Sequence, residues 1–205
     1  MVQRLDRLKE TPSQTAGPYV HIGCTPNFAG ITGVFPRDLG SVMVNDRTRG
    51  KRITVRGAVI DGTGTPLKDA MVEIWQADCD GLYPSVNEFR GRADPEFAGW
   101  GRSPGDMETG EYCFRTVKPG RVPFFDGRLM APHITFWIVA RGINLGLHTR
   151  MYFPDEAAAN GDDPILARIE HKVRIATLIA AREGEGQYRF DIHLQGENET
   201  IFFDI

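Results

Sequence analysis

The clearest alternation of apolar and polar residues runs from His133 to Arg141, in the stretch HITFWIVAR. A period of two is typical of a β-strand and puts alternate side chains on opposite faces. One face is purely apolar and consists of Ile134, Phe136, Ile138 and Ala140. The other face carries an imidazole, a hydroxyl and a guanidinium, from His133, Thr135 and Arg141, next to Trp137 and Val139. This polar face makes the strand a candidate for a functional site.

Further strand patterns recur along the chain, separated by glycine and proline turns. They are ITVRGAVID from residue 53, AMVEIWQAD from 70, EYCFRTV from 111, LHTRMYFPD from 147, RIATLIAARE from 174, YRFDIHLQG from 188 and TIFFDI from 200. We expect Trp75 to pack in the core. One short helix is predicted in DDPILARIE, beginning near Pro164, with Ile165, Leu166 and Ile169 on one face. The pattern predicts an all-β protein: a β-sandwich of mostly antiparallel strands with long loops and one short helix.

Length and turn residues define the organisation of the chain. With 205 residues, 41% of them hydrophobic, a single domain over residues 1–205 is expected. The segment TPSQTAGPYVHIG, residues 11–23, contains two prolines and excludes a long helix. We therefore predict an extended N-terminal arm over about residues 1–30. One interpretation is that the arm lies across its own domain. The other is that it lines a ligand pocket, either of this chain or of another subunit.

The turn-rich segment from Asp80 to Gly110 contains the aromatic residues Tyr83, Phe89, Phe97 and Trp100. A loop of this length in a compact domain is usually functional or lies in an interface, because ordering it costs conformational entropy.

Charge and cysteine content exclude several classes of protein. A formal net charge of −3 gives no general attraction to nucleic acid or to anionic membranes, and the basic run from Arg47 to Arg52 is best interpreted as a solvated turn. We find no secretory signal and no stretch long enough to span a membrane. Three cysteines, an odd number without metal-type spacing, favour reduced thiols and a cytoplasmic location.

Common catalytic motifs are missing from the sequence, including GxSxG, GxxxxGK, HExxH and CxxC. On the residues alone, His133 is best interpreted as a structural histidine and Tyr83 as a packing aromatic. On the same basis, Arg141 is best interpreted as one partner of a surface or interface salt bridge.

Several motifs in a fixed order change this interpretation. They are ETPSQTAGPYVHIG, VEIWQADCDGLY, GEYCFRTVKPG, MAPHITF, ARGIN, LHTRMYF and YRFDIHLQGENETIFFDI, and they cover nearly the whole chain. In combination they make the chain similar to the intradiol ring-cleaving dioxygenases. Catalytic chains of that family hold one non-haem Fe(III) with two tyrosines and two histidines, since hard ferric iron suits phenolate and imidazole ligands.

The chain departs from that ligand pattern at two of the four positions. Tyr83 and His133 occupy a tyrosine and a histidine position, whereas the other two positions hold Val122 and Thr135. The resemblance therefore implies that these four positions are vestigial and that this chain binds no metal. It implies a non-catalytic α subunit, with Fe(III) held by a β partner subunit in αβ units of a larger oligomer.

The resemblance also implies a shared pocket at the contact between the two subunits. There Thr15, Gly17, Pro18 and Arg141 of this chain would border the substrate, 3,4-dihydroxybenzoate. A guanidinium suits the carboxylate of such a substrate. Two alternatives stay open: a self-sufficient intradiol dioxygenase that uses other ligands, and a non-enzymatic β-sandwich binding module.

Overall fold

Two β-sheets form the framework of the protein. The computed structural model describes residues 15–17, 19–144 and 146–204. The first sheet has the strand order β4-β1-β8-β7, with β9 also paired to β1, and the second has the order β3-β2-β5-β6. The predicted β-sandwich is confirmed.

The described part of the chain contains nine strands and five short helices, which are connected by loops. The strands are β1 (Arg52–Ile60), β2 (Met71–Trp75), β3 (Trp100–Pro104), β4 (Glu111–Val117), β5 (His133–Val139), β6 (Leu147–Tyr152), β7 (Ala181–Gly184), β8 (Gln187–Arg189) and β9 (Ile192–His193). The α-helices are α1 (Val20–Cys24) and α2 (Ala157–Gly161), and the 3-10 helices are Pro154–Glu156, Leu166–Arg168 and Lys172–Leu178. Strand pairs are antiparallel except where β1 meets β8 and β9.

The core lies between the two sheets and consists of the alternating apolar residues that the sequence indicates. Ile134, Phe136 and Ile138 of β5 are fully buried, as the alternation predicts. They meet residues of the opposite sheet, and Phe136 packs on Phe190 with ring centroids 5.2 Å apart. Such burial of aromatic and β-branched side chains is the main source of stability.

A buried amide ties the two sheets together at the end of β2. Gln76 donates from Nε2 to the carbonyl of Val117, 2.9 Å away, and accepts at Oε1 from Thr116 Oγ1 at 2.9 Å. Nε2 also donates to the carbonyl of Ala77 at 3.1 Å. Because Gln76 is fully buried, losing the hydroxyl of Thr116 would leave Oε1 without a hydrogen bond. This link fixes where the chain leaves β2 for the candidate site.

The local predictions need five corrections. Trp75 is not in the main core: it is half-buried on the outer face, because its neighbours Val72 and Ile74 take the inner face. The long loop from Asp80 contains an unpredicted strand, β3. Helix α1 within the N-terminal segment was also not predicted. The helix predicted near Pro164 is one 3-10 turn, Leu166–Arg168.

The fifth correction concerns the C-terminal strands. Residues predicted as the start of a strand form the 3-10 helix Lys172–Leu178, in which Ile175 and Leu178 both contact a small apolar cluster. A spacing of three suits one face of a 3-10 helix, so these contacts favour it over a strand. The last segment, from Thr200, contributes only an isolated bridge between Phe203 and His148. Residues 1–14 of the predicted N-terminal arm lie outside the described residues. No helix in the described ranges combines the length and the hydropathy needed to cross a membrane.

Candidate functional site

A tight turn after β2 positions Tyr83. Asp78 accepts hydrogen bonds at Oδ1 from the backbone N–H groups of Asp80 and Leu82, both at 2.9 Å. Gly81 in this turn has φ of 78°, and a Cβ atom there would lie 2.1 Å from the carbonyl oxygen of Arg121. Only glycine permits this approach. The turn is therefore pressed against the segment that contains Val122.

Tyr83 is held by packing. Its ring stacks on Trp75 with centroids 5.7 Å apart and planes 10° apart, and it contacts a cluster of Ala77, Val122 and Met130. Burial raises the pKa of Tyr83, and the nearby charge of Arg150 opposes that shift only in part. The phenol therefore stays protonated near neutral pH.

Val122 is a packing residue in a short hairpin. Its carbonyl oxygen accepts a hydrogen bond from Met130 N at 2.8 Å, and Pro123 pairs with Leu129 one position further along each arm. The Val122 side chain is buried at 7% exposure between Tyr83 and Met130. Its surroundings are therefore apolar packing contacts.

His133 is buried at the start of β5. Its Nδ1 atom lies 2.8 Å from the carbonyl oxygen of Ala131, and since a carbonyl only accepts, Nδ1 carries the proton. Burial, with a smaller contribution from the Arg150 charge, lowers the pKa of His133 to about 4. The imidazole is therefore neutral at pH 7. Its ring lies beside that of Tyr152, 5.8 Å between centroids.

Thr135 completes this region on the outer face of β5. In the sheet it lies between Trp75 of β2 and Arg150 of β6. Tyr83 stacks on that same Trp75. The structure thus gathers four residues from three separate segments around one location: Tyr83, Val122, and the pair His133 and Thr135.

The donor set at this location does not fit a ferric ion. A valine side chain has no lone pair, and a neutral hydroxyl is a poor replacement for imidazole. One protonated phenol and one imidazole remain. Within residues 15–17, 19–144 and 146–204, no three His, Cys, Asp or Glu side chains come close enough together to hold a metal ion.

A second region contains the residues expected to border substrate. Thr15 donates from Oγ1 to the carbonyl of Ala140 at 3.3 Å and accepts at Oγ1 from Gly142 N at 3.1 Å. The threonine is therefore bound to the turn that carries Arg141. Gly17 is exposed, and Pro18 lies outside the described residues.

Arg141 projects from this turn instead of continuing β5. It forms an ion pair from Nε to Asp69, and its side chain remains 68% exposed. It also lines an open cleft of about 770 Å³, together with Asp61, Asn144 and Gln195. An exposed guanidinium beside a cleft can bind an anionic group.

Sequence reasoning missed two residues of the first region, Arg150 and Asp163. Alternation in HTRMY places Arg150 on the same face as Tyr152, which is a signal for the arginine. Asp163 accepts hydrogen bonds from the N–H groups of Ala131 at 2.7 Å, Ile165 at 2.8 Å and Leu166 at 2.9 Å. No local pattern predicts the first of these, because 32 residues separate the partners.

Comparison with known proteins identifies the family. A sequence profile described as "Dioxygenase" matches residues 25–196. The chain belongs to this dioxygenase family. It is 44% identical over 203 residues to the protocatechuate 3,4-dioxygenase alpha chain of Pseudomonas putida, with 98% of each chain covered. The resemblance to ring-cleaving dioxygenases inferred from the motifs is confirmed.

Other members of the dioxygenase family are more distant. The protocatechuate 3,4-dioxygenase beta chain of Burkholderia cepacia is 34% identical over 165 residues, which cover 76% of this chain and 69% of that one. The crystal structure of 3-chlorocatechol 1,2-dioxygenase from Rhodococcus opacus 1CP matches with a TM-score of 0.58 and 22% identity, over 78% of this chain and 68% of that one. At this identity the structural match shows the shared fold.

Proposed function

We propose that this chain is the non-iron-binding α subunit of a protocatechuate 3,4-dioxygenase. One observation carries the proposal: over its full length the chain is similar to such an alpha chain, while Val122 and Thr135 replace two of the four metal donors of the family. A β partner subunit would hold the non-haem Fe(III) and all of the metal chemistry.

The reaction proposed for the αβ enzyme is the O2-dependent opening of an aromatic ring. The substrate 3,4-dihydroxybenzoate would be cleaved between its two hydroxyl-bearing carbons to give 3-carboxy-cis,cis-muconate, a step of aromatic catabolism in the β-ketoadipate pathway. Both oxygen atoms of O2 enter the product. This chain would contribute binding and shape to the pocket and supply no reacting group.

Arg141, Thr15, Gly17 and Pro18 are the residues that we propose at the shared pocket. The exposed guanidinium of Arg141 would bind the substrate carboxylate, a strong charge-assisted interaction. Thr15 supports this role because its two hydrogen bonds fix the turn around Arg141. Gly17 leaves its surroundings open, since a Cβ atom there would meet nothing within 4 Å.

Exposed apolar side chains support a partner-dependent assembly. Val86 and Phe89 of the long loop are 94% and 89% exposed, and Phe125 is 79% exposed. Large apolar residues in such positions are typical of surfaces that a partner covers.

We propose that residues 1–205 form one domain with an N-terminal arm that reaches the β subunit. Three free thiols favour a cytoplasmic location.

The decisive experiment is purification of this chain alone and together with the β chain of the same organism. Iron content by mass spectrometry, visible absorption and oxygen uptake on protocatechuate are measured for both preparations. We expect little iron and no turnover from the single chain. The complex is expected to contain iron and to open the ring.

The two alternatives give different results in the same experiment. Stoichiometric iron, a tyrosinate-to-iron absorption band and turnover in the single chain would establish a self-sufficient dioxygenase. A stable monomer that forms no complex and restores no oxygen uptake with the β chain would establish a binding module. Either result contradicts the proposal.

A further inference from the structure

The outer face of the second sheet places Arg150 among the four vestigial positions. Arg150 of β6 lies directly opposite Thr135 of β5, and Tyr152 lies opposite His133. Directly opposed residues in an antiparallel pair have Cβ atoms about 4.5–5.5 Å apart on the same face. Arg150 is therefore the immediate neighbour of Thr135 and the diagonal neighbour of His133.

The guanidinium of Arg150 lies over this region and is not directed to a surface carboxylate. Its Nη1 atom lies 3.5 Å from Sδ of Met130, and its central carbon lies 5.9 Å from the centroid of the Phe203 ring. Met130 belongs to the apolar cluster that contains Val122 and contacts Tyr83. The side chain of Arg150 therefore starts opposite Thr135 and extends towards the cluster that contains Val122.

Within the part of the chain that the structure describes, Arg150 forms no direct salt bridge with a carboxylate. None of the ion pairs formed there involves Arg150. Asp163 acts on the same His133 and Tyr152 through its negative charge. Its oxygens accept three backbone N–H groups and make no salt bridge to Arg150. The arginine charge also acts on Tyr83 and on His133, where in each case it disfavours the protonated form. A half-buried positive charge without a direct salt-bridge partner therefore acts on both remaining donors.

We propose that the Arg150 guanidinium is an internal cation that takes the place of the family's metal ion and excludes metal ions from this chain. Two positive charges at one half-buried location repel each other strongly, because water screens them incompletely. Replacing Val122 and Thr135 by ligating residues would then not be enough to restore a metal site. Arg150 would have to be removed as well.

The inference depends on the proposed function in one respect: it takes Tyr83, Val122, His133 and Thr135 as the positions of the family's metal ligands.

The test of the inference uses the full chain, with Fe(III) supplied as the nitrilotriacetate complex and bound iron measured after dialysis. The variant Val122→Tyr/Thr135→His is compared with Val122→Tyr/Thr135→His/Arg150→Gln. A matched control replaces the third change by Arg47→Gln, a surface arginine with a 79% exposed side chain.

We expect the Arg150→Gln triple variant to bind Fe(III) at least about 100-fold more tightly than the double variant, with a tyrosinate-to-iron absorption band. The Arg47→Gln control should bind like the double variant. Equal affinity of the double variant and the Arg150→Gln triple variant would overturn the inference, and so would an equal gain in the control. Iron bound at this site by the unmodified chain would overturn both the inference and the proposed function, whereas equal affinity of the two variants overturns the inference alone.

A smaller set of variants covers the case in which tyrosine at position 122 prevents folding. Thr135→His is compared with Thr135→His/Arg150→Gln, and Zn(II) binding is measured by calorimetry, because His133 and the new histidine provide two imidazole ligands that zinc accepts. Tighter Zn(II) binding only when Arg150 is replaced is the expected result. Indistinguishable Zn(II) binding by the two variants would contradict the inference.

Discussion

Thr15 and Ala140 are joined by a hydrogen bond across 125 residues of sequence, with Oγ1 of the threonine 3.3 Å from the carbonyl oxygen. The same hydroxyl accepts from Gly142 N at 3.1 Å. These contacts connect the start of the described chain to both sides of Arg141. The N-terminal segment and the turn after β5 are therefore one structural unit at the proposed pocket.

The first prediction concerns this unit. Thr15→Val keeps the shape of the side chain and removes both hydrogen bonds, so the turn around Arg141 loses its support. We expect KM for protocatechuate in the αβ complex to rise about threefold to tenfold with little change in kcat. Steady-state kinetics would measure this. Thr15→Ser keeps the hydroxyl and should behave like the original chain, whereas an equal effect of both variants would contradict the prediction.

The second prediction tests Arg141 as the group that binds the substrate carboxylate. Arg141→Ala removes a charge-assisted hydrogen bond, and we expect KM to rise roughly 10- to 100-fold. Asp69→Asn should have the opposite effect, because the carboxylate of Asp69 forms an ion pair with Arg141 and competes with the substrate. Kinetics on protocatechuate are compared with kinetics on catechol, which has no carboxylate. An unchanged KM for protocatechuate in Arg141→Ala would remove this residue from the pocket.

The third prediction concerns the phenol of Tyr83. The ring is held by stacking on Trp75, and its raised pKa keeps the hydroxyl protonated. On the proposed assignment this hydroxyl binds no metal. Tyr83→Phe should leave the iron content and the turnover of the αβ complex unchanged. Tyr83→Ala should lower the free energy of unfolding by about 2 kcal/mol through lost packing. A drop in iron content in Tyr83→Phe would show that the phenol is a ligand.

The sequence predicts the central strands well because buried and partly exposed side chains alternate along them with a period of two. Residues 133–139 follow a period of two without interruption, and their inner face is buried as expected. The prediction that Trp75 packs in the core is wrong. It relied on the size of the side chain, whereas the position of Trp75 in the alternation puts it on the outer face. Contacts between distant segments leave no such pattern, and the surroundings of Arg150 and Asp163 depend on them.

The fourth prediction tests how the segment before His133 is held. Asp163 is fully buried and accepts from the N–H groups of Ala131, Ile165 and Leu166. Asp163→Asn exchanges one accepting oxygen for an amide that donates, which leaves at least one buried N–H without a partner. We expect a loss of about 3 kcal/mol in the free energy of unfolding, measured by urea denaturation. The exposed neighbour provides the control: Asp162→Asn should change stability by less than about 0.5 kcal/mol.

The fifth prediction is a pH dependence of stability that originates at His133. In the unfolded chain this imidazole binds a proton below about pH 6.5, whereas burial and the charge of Arg150 delay protonation in the folded chain to about pH 4. Between these values the unfolded state binds more protons, so stability falls as the pH falls. From pH 7 to pH 5 the contribution of His133 amounts to a loss of about 2 kcal/mol.

Urea denaturation of the chain and of His133→Gln at both pH values measures this contribution. In the variant the loss between pH 7 and pH 5 should shrink by about 2 kcal/mol, because glutamine does not titrate. The exposed His171 offers the control, since the same replacement is made there at a histidine that is not buried. If His133→Gln and His171→Gln lose the same stability on acidification, the buried imidazole is already protonated at pH 5 or is solvated, and the neutral state inferred for this site is wrong.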